Sequence, residues 1–171
     1  MRVELGNLEN LGGRFAHEYE PDELTLDEER VELAEPPKTA GRIIRDGARV
    51  MVEGEVSAVT RIECDRCLKP ITVPVTSQFR VAYVTPEVYQ TEQAPELGEE
   101  DLALSVFDGE IVDVDEIVRE QVLLEVPTHA LCSENCKGLC PVCGVDRNQI
   151  DCKCQTKEVD PRWSGLENLR F

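Results

Sequence analysis

The sequence predicts an α+β fold: a mostly antiparallel sheet packed on one helix, followed by a small cysteine-rich lobe. Three observations lead there. Residues 49–63 and 71–83 alternate apolar and polar side chains with a period of two, the pattern of strands with one buried and one wet face. Val114, Ile117, Val118, Gln121, Val122 and Leu124 follow helical spacing. Six of the eight cysteines crowd into the 23 residues 132–154.

Taken in order, Val3 and Leu5 start a short strand. Tyr19, Leu24, Leu26, Val31 and Leu33, spaced by about two among acids, read as extended segments. Pro36 and Pro37 break whatever precedes them, so the sheet is expected from residues 42–112. In the strand 49–63 the even positions are the buried ones, and Gly54 is expected to mark a bulge or bend. The length of this strand is compatible with a barrel-like closure. The run 71–83 repeats the alternation, with Pro74 at an edge or a bulge. Cys64-Asp-Arg-Cys67-Leu-Lys-Pro70 between the two runs reads as a hairpin turn.

Residues 85–101 carry six acids, two prolines and no base, and read as a flexible loop. Leu102–Phe107 and Glu110–Val112 flank Asp108-Gly109, a hairpin signal. Asp113, with Glu116 three residues later, opens the helix as a capping box, and Pro127 closes it. Near the end, Asp160 caps and Pro161 occupies the first position of a short terminal helix, with Trp163, Leu166 and Leu169 on one side. The expected domains are 1–127 and 128–171.

With 171 residues and 41% hydrophobic content, the chain can bury a core. Its net charge is −17, which argues against coating nucleic acid by bulk charge. The acidity is uneven. Residues 1–40 sum to −7, 41–84 to +2, 85–127 to −12 and 128–171 to zero. The longest unbroken apolar run is the four residues Val81–Val84. A membrane span needs roughly 20 and a signal peptide roughly 7–15. The expectation is therefore a soluble, cytoplasmic chain, in which clustered cysteines point to metal rather than disulfides.

The cysteine cluster centres on Cys140-Pro-Val-Cys143-Gly144. Two thiolates at this spacing reach one ion from a tight turn, and the following glycine lets amide N–H groups face sulfur. Zinc takes four such ligands in a tetrahedron, and Cys152-Lys-Cys154 can close it. The first-choice ligands are Cys140, Cys143, Cys152 and Cys154. Cys132 and Cys136 could replace the last pair. Cys64 and Cys67 could join the cluster, bind alone or stay unligated; as a thiol redox pair they lack the usual strand-to-helix setting. His129 reads as a surface histidine, and His17 has no chemical neighbours. With few apolar residues, the lobe would draw its order from metal binding. No phosphate loop, dinucleotide pattern, nucleophile elbow or zinc-protease motif is present, so no enzyme is expected.

Taken together, Cys64-Asp-Arg-Cys67-Leu68 between two strands, the acidic loop, Leu123-Leu-Glu-Val-Pro127, Cys136-Lys-Gly-Leu-Cys140-Pro-Val-Cys143-Gly144 and the closing Asp160-Pro-Arg162 resemble the YceD-like family of bacteria and plastids. That family is named for large ribosomal RNA subunit accumulation and has been catalogued as a domain of unknown function. The resemblance implies a role in accumulation or processing of large-subunit ribosomal RNA, and so in ribosome assembly, with zinc as a local staple. A non-enzymatic factor of this kind would bind pre-ribosomal RNA or a basic ribosomal protein. The candidate contact residues are Arg49, Arg61, Arg66, Lys69, Arg80 and Arg162. The alternatives are a thiol redox protein using Cys64 and Cys67, or a zinc-stapled interaction module of another pathway.

Overall fold

A computed structural model describes residues 1–7, 12–46, 49–91, 104–154 and 162. The chain divides into two compact units: Met1–Ile62 with Ile71–Thr128, and Glu63–Pro70 with His129–Phe171. The loop between the two long strands thus belongs with the cysteines of the C-terminal segment.

The first unit holds seven strands and two helices among the described residues. They are β1 (Arg2–Glu4), β2 (Gly12–Glu18), β3 (Val31–Asp46), β4 (Arg49–Glu63), β5 (Pro70–Val84), α1 (Pro86–Thr91), β6 (Leu104–Val106), β7 (Ile111–Asp113) and α2 (Val114–Glu125). Five strands form one sheet in the order β2-β3-β4-β5-β6, and β1 pairs antiparallel with β7 in a second. The five-strand order is open, with β2 and β6 at its ends, so the barrel-like closure is not formed. The sheet is mostly antiparallel, and β6 is the exception, running parallel to β5.

The alternation in β4 and β5 positions the core. Val50, Val52, Val56, Ala58 and Ile62 of β4 are buried, as are Val75 and Phe79 of β5. Val114, Ile117, Val118 and Val122 of α2 join Val52, Val56 and Phe79 in one cluster, so the apolar stripe of the helix packs on the inner face of the sheet. Leu5, Tyr19, Leu24 and Leu26 complete it. Asp113 is the N-cap of α2, and its carboxylate accepts from the Asp115 N–H.

Four expectations need correction. The sheet begins at residue 12, because Pro36 and Pro37 do not end a strand: β3 runs through them. Its register on β4 slips between Leu33 and Glu35 and again between Glu35 and Lys38. The missing proline N–H groups thus fall in an irregular stretch of the ladder, and the Pro37 carbonyl accepts from the Tyr19 N–H at 3.0 Å. Gly54 is no bulge. It pairs in register with Gly41, and a Cβ on it would lie 2.7 Å from Phe79 Cζ, so its role is to let an aromatic ring lie on the backbone. Asp108-Gly109 does turn the chain, with Asp108 Oδ1 accepting from the N–H groups of Glu110 and Ile111 at 3.0 and 3.3 Å. The flanking strands do not pair with each other, because β6 adds to β5 while β7 adds to β1. Of these two residues only Gly109 has positive φ, whereas the type I′ hairpin turn that Asp-Gly favours needs it at both. Finally, 86–91 of the acidic segment are helical, with Pro86 at the first position.

His17 also has neighbours. Its Nε2 lies 2.9 Å from Glu23 Oε1 and its ring meets Tyr19 edge-on at 4.5 Å. The rest of the acidic loop, 92–101, and the terminal helix around Trp163, Leu166 and Leu169 lie outside the described residues.

Candidate metal centres

The second unit brings its eight cysteines into two groups of four. Cys64, Cys67, Cys132 and Cys136 form one, and Cys140, Cys143, Cys152 and Cys154 the other; within each, all sulfurs lie within 4.8 Å of one another. All eight are free thiols. In the first group Cys64 Sγ is 3.8 Å from Cys136 Sγ, and Cys67 Sγ is 3.6 Å from Cys132 Sγ. A tetrahedron whose sulfurs lie about 2.3 Å from its centre has edges of about 3.8 Å, so the spacing is that of a four-thiolate metal site and far above the roughly 2.0 Å of a disulfide.

Two knuckles of one geometry build the groups. The Cys64 N–H donates to the Lys69 carbonyl at 2.9 Å, and the Leu68 N–H donates to the Cys64 carbonyl at 2.9 Å. The Cys140 N–H donates to the Val145 carbonyl at 2.8 Å, and the Gly144 N–H donates to the Cys140 carbonyl at 2.8 Å. Each bend brings both cysteines of a C-x-x-C pair to one side. Cys132 and Cys136 come to the first knuckle through a clasp: Asp65 N–H donates to the Ala130 carbonyl at 2.9 Å, and the Ala130 N–H donates to Asp65 Oδ2 at 2.7 Å. Arg66 Nη1 donates to the Cys136 carbonyl at 2.8 Å, and the Leu139 N–H donates to the Arg66 carbonyl at 2.9 Å.

Sulfur electrostatics fit a cation. Burial pushes the Cys64 thiol up, but the N–H groups of Cys132, Arg66 and Cys67 outweigh it and bring it down to about 6. The N–H groups of Cys143 and Val142, with the Cys152 thiol, bring Cys140 to about 6. The Lys69 N–H draws Cys67 down, yet burial and its sulfur neighbours raise it to about 12. The Cys143 thiol and burial push Cys154 up to about 12. Within each group some thiols are thus drawn down and their neighbours pushed up; a divalent cation at the centre would favour thiolate at all four. The donor set is all soft sulfur, which suits zinc and iron better than calcium or magnesium.

Cys132 and Cys136 do not replace Cys152 and Cys154; they face Cys64 and Cys67. His129 is outside both groups, exposed, with Nδ1 3.6 Å from Asp65 Oδ2. The sequence reading missed Asp65 and Asn148. Asn148 Nδ2 donates to Cys136 Sγ at 3.4 Å and its Oδ1 accepts from the Lys137 N–H at 2.8 Å. No spacing rule points to either, since both act through distant partners.

The six candidate contact residues divide between the units. Arg49, Arg61 and Arg80 lie in the first unit; Arg66, Lys69 and Arg162 lie in the second. Arg61 Nη1 is 3.7 Å from Glu32 Oε2, and Arg80 Nε is 3.2 Å from Glu53 Oε1 and 2.8 Å from Met51 Sδ. Arg66 is engaged on the Cys136 backbone. Arg49 and Arg162 also have partners.

Residues 52–170 match the family described as Large ribosomal RNA subunit accumulation protein YceD. The chain belongs to that family. An uncharacterised protein of Mycobacterium tuberculosis (strain ATCC 25618 / H37Rv) is 36% identical over 120 residues, covering 70% of this chain and 55% of that protein. YlbN of Bacillus subtilis (strain 168), also uncharacterised, is 27% identical over 91% of this chain and 86% of its own length. A chloroplastic YCED homolog of Zea mays, named for large ribosomal RNA subunit accumulation, is 27% identical over 85% of this chain and 56% of its own. The chain spans about half the length of the first curated relatives it matches. No solved structure matches it. Among the described residues no helix is long and apolar enough to cross a membrane.

Proposed function

We propose that this YceD-family chain is a non-enzymatic factor for large-subunit ribosomal RNA accumulation, working in ribosome assembly in a reducing, cytoplasmic setting. Zinc at Cys140, Cys143, Cys152 and Cys154 closes its cysteine lobe. The observation that carries the role is the family match over 52–170, which takes in most of β4, all of β5 and α2 and every one of the eight cysteines.

The partner is RNA, met on the outer face of the sheet. Arg14, Arg42 and Glu53 are directly opposite one another on β2, β3 and β4, and Arg80 of β5 reaches the same carboxylate. Glu53 Oε2 accepts from Arg42 Nε at 3.0 Å and Nη2 at 2.8 Å. These bonds fan the guanidinium groups around an open depression of about 590 Å³ and leave further N–H groups to face phosphate. The lobe is less suited, because each four-thiolate zinc centre would add two negative charges to a segment whose side chains otherwise sum to zero.

A second reading has its own observation. A groove of about 550 Å³ is walled by Glu20, Asp22, Asp27, Glu28, Glu32 and Glu35 with no basic residue, which suits a basic segment of a ribosomal protein.

Co-sedimentation of the tagged chain with large-subunit precursors at two salt concentrations tests the reading. Recovery should fall steeply as salt rises, and Arg42→Glu with Arg80→Glu should abolish it at low salt. Equal recovery at both salts, or by wild type and variant alike, overturns RNA contact at this face. Loss with Glu28→Lys and Glu32→Lys instead selects the basic protein. Depletion of the chain should lower large-subunit relative to small-subunit RNA; an unchanged ratio overturns the role.

A further inference from the structure

We propose that the lobe carries a second, tighter metal site at Cys64, Cys67, Cys132 and Cys136, and that the outer site at Cys140, Cys143, Cys152 and Cys154 exchanges its ion first. The inference rests on the zinc reading of the outer group and adds a graded pair to it. Zinc is the ion of choice at both sites, because four thiolates in a closed shell leave no open position for chemistry.

The inner group has the spacing of a metal site and the support of one. Cys64, Cys67 and Cys136 are buried. The Cys132 N–H lies 3.3 Å from Cys64 Sγ and Asn148 Nδ2 3.4 Å from Cys136 Sγ, so N–H donors face the sulfurs as they face metal-bound thiolates. The Asp65–Ala130 clasp and the Arg66–Cys136 bond tie the two cysteine pairs to each other independently of the sulfurs. A site tied together by hydrogen bonds as well as by its metal reopens rarely.

The outer group differs in burial and in backbone support. Cys140 alone is buried; Cys143 and Cys154 are exposed and Cys152 is half-buried. Among the described residues, no backbone–backbone hydrogen bond ties Asp151–Cys154 to the rest of the lobe. Apart from an exposed ion pair of Asp151 Oδ1 with Lys137 Nζ at 3.9 Å, that limb is held through its sulfurs. An incoming chelator can reach two thiolates and displace them stepwise, and each thiolate released takes up a proton while the ion passes to the chelator. Loss of the outer ion would free the limb and leave the inner clasp standing. The outer site is thus built to respond to the free zinc concentration, and the inner one is a permanent fastening.

The test uses the full chain purified with its metal. Metal analysis should give two zinc ions per chain with all eight thiols masked. Release to a chromophoric pyridylazo chelator should be biphasic, one equivalent in each phase. Cys152→Ser with Cys154→Ser should remove the fast phase and keep the slow one. Cadmium-113 substitution of the wild-type chain needs no mutation: it should give two resonances in the all-sulfur range, of which one disappears first on chelator addition. One ion per chain, a single release phase, or a fast phase that survives the double substitution overturns the proposal. No metal at all would instead overturn the zinc reading beneath it.

Discussion

Leu68 and Gly144 hold the same place in the two knuckles: each follows the second cysteine of a C-x-x-C pair, each donates its N–H to the first cysteine's carbonyl, and each has positive φ, 59° and 73°. The left-handed region costs an ordinary L-residue about 1–2 kcal/mol and glycine almost nothing. Leu68 is 53% exposed, so little burial offsets that cost. Leu68→Gly should therefore stabilise the metal-loaded protein by about 1 kcal/mol, and Gly144→Ala should destabilise it by a similar amount. Nothing lies within 4 Å of a Cβ at Gly144, so backbone conformation alone sets the loss. Thermal unfolding of the two variants checks both signs; a Leu68→Gly protein that melts earlier would mean that the side chain packs.

Gly41 and Gly54 make a second matched pair. They face each other across β3 and β4, with Phe15 over the first and Phe79 over the second: a Cβ would lie 2.7 Å from either ring's Cζ. A Cβ at Gly54 would also meet the Ala40 carbonyl oxygen at 2.6 Å, and backbone cannot step aside cheaply. Gly54→Ala should cost about 1–3 kcal/mol by overpacking. Combining it with Phe79→Leu should cost less than the sum of the two single changes, because the ring is one of the two clashing groups. Denaturant midpoints of the three variants measure that coupling.

The long strands, the single packing helix and its cap were legible in the sequence because each obeys one period: two in β4 and β5, 3.6 in α2. Cys140, Cys143, Cys152 and Cys154 stand close together in sequence, so spacing alone could group them. Cys64 and Cys136 are 72 residues apart, and only the fold brings them together. The passage of β3 through Pro36 and Pro37 was illegible for a similar reason: a proline's cost depends on whether the partner strand needs its N–H, and the register slips there remove the need. Asp108-Gly109 codes for a turn, but which strands flank it is decided by β5 and β1, far away in the chain.

Tyr19 and Asp115 set the response to pH. The Tyr19 hydroxyl donates to Asp115 Oδ1 at 2.7 Å. Burial first, then that bond and nearby carboxylates, hold the Tyr19 phenol well above its usual range; burial with Glu116, Glu120 and Asp113 raises Tyr83 to about 12. Both folded values exceed the unfolded value of about 10. Their stabilisation is thus complete below pH 10 and fades as pH rises toward and through 12. Asp115 behaves oppositely. Burial pushes its carboxyl up, but the Met1 amino group and the Tyr19 hydroxyl outweigh it and hold it low. Its contribution is present above about pH 4 and is lost as pH falls through the lowered value. Tyr19→Phe should cost about 1 kcal/mol at pH 7 and soften the alkaline decline. Stability measured from pH 3 to 12 for wild type and variant, with absorbance at the phenolate band, reads both limbs.

Asp113 joins the small sheet to the helix. It is the last residue of β7, opposite Arg2 of β1, and the N-cap of α2. Its Oδ1 accepts from the Asp115 N–H at 3.0 Å and its Oδ2 from Arg2 Nε at 3.0 Å. Arg2 is largely exposed, so the ion pair adds little, and the cap dominates. Asp113→Ala should cost about 1 kcal/mol, whereas Asp113→Ser, which keeps an oxygen for the N–H but no charge for Arg2, should recover most of it. Because α2 carries Val114, Ile117, Val118 and Val122 into the core, fraying its first turn loosens Val114 first. Amide exchange should then quicken at Val112 and Val114 in the alanine variant and stay slow in the serine one. Equal loss in both would shift the weight from the cap to the Arg2 ion pair.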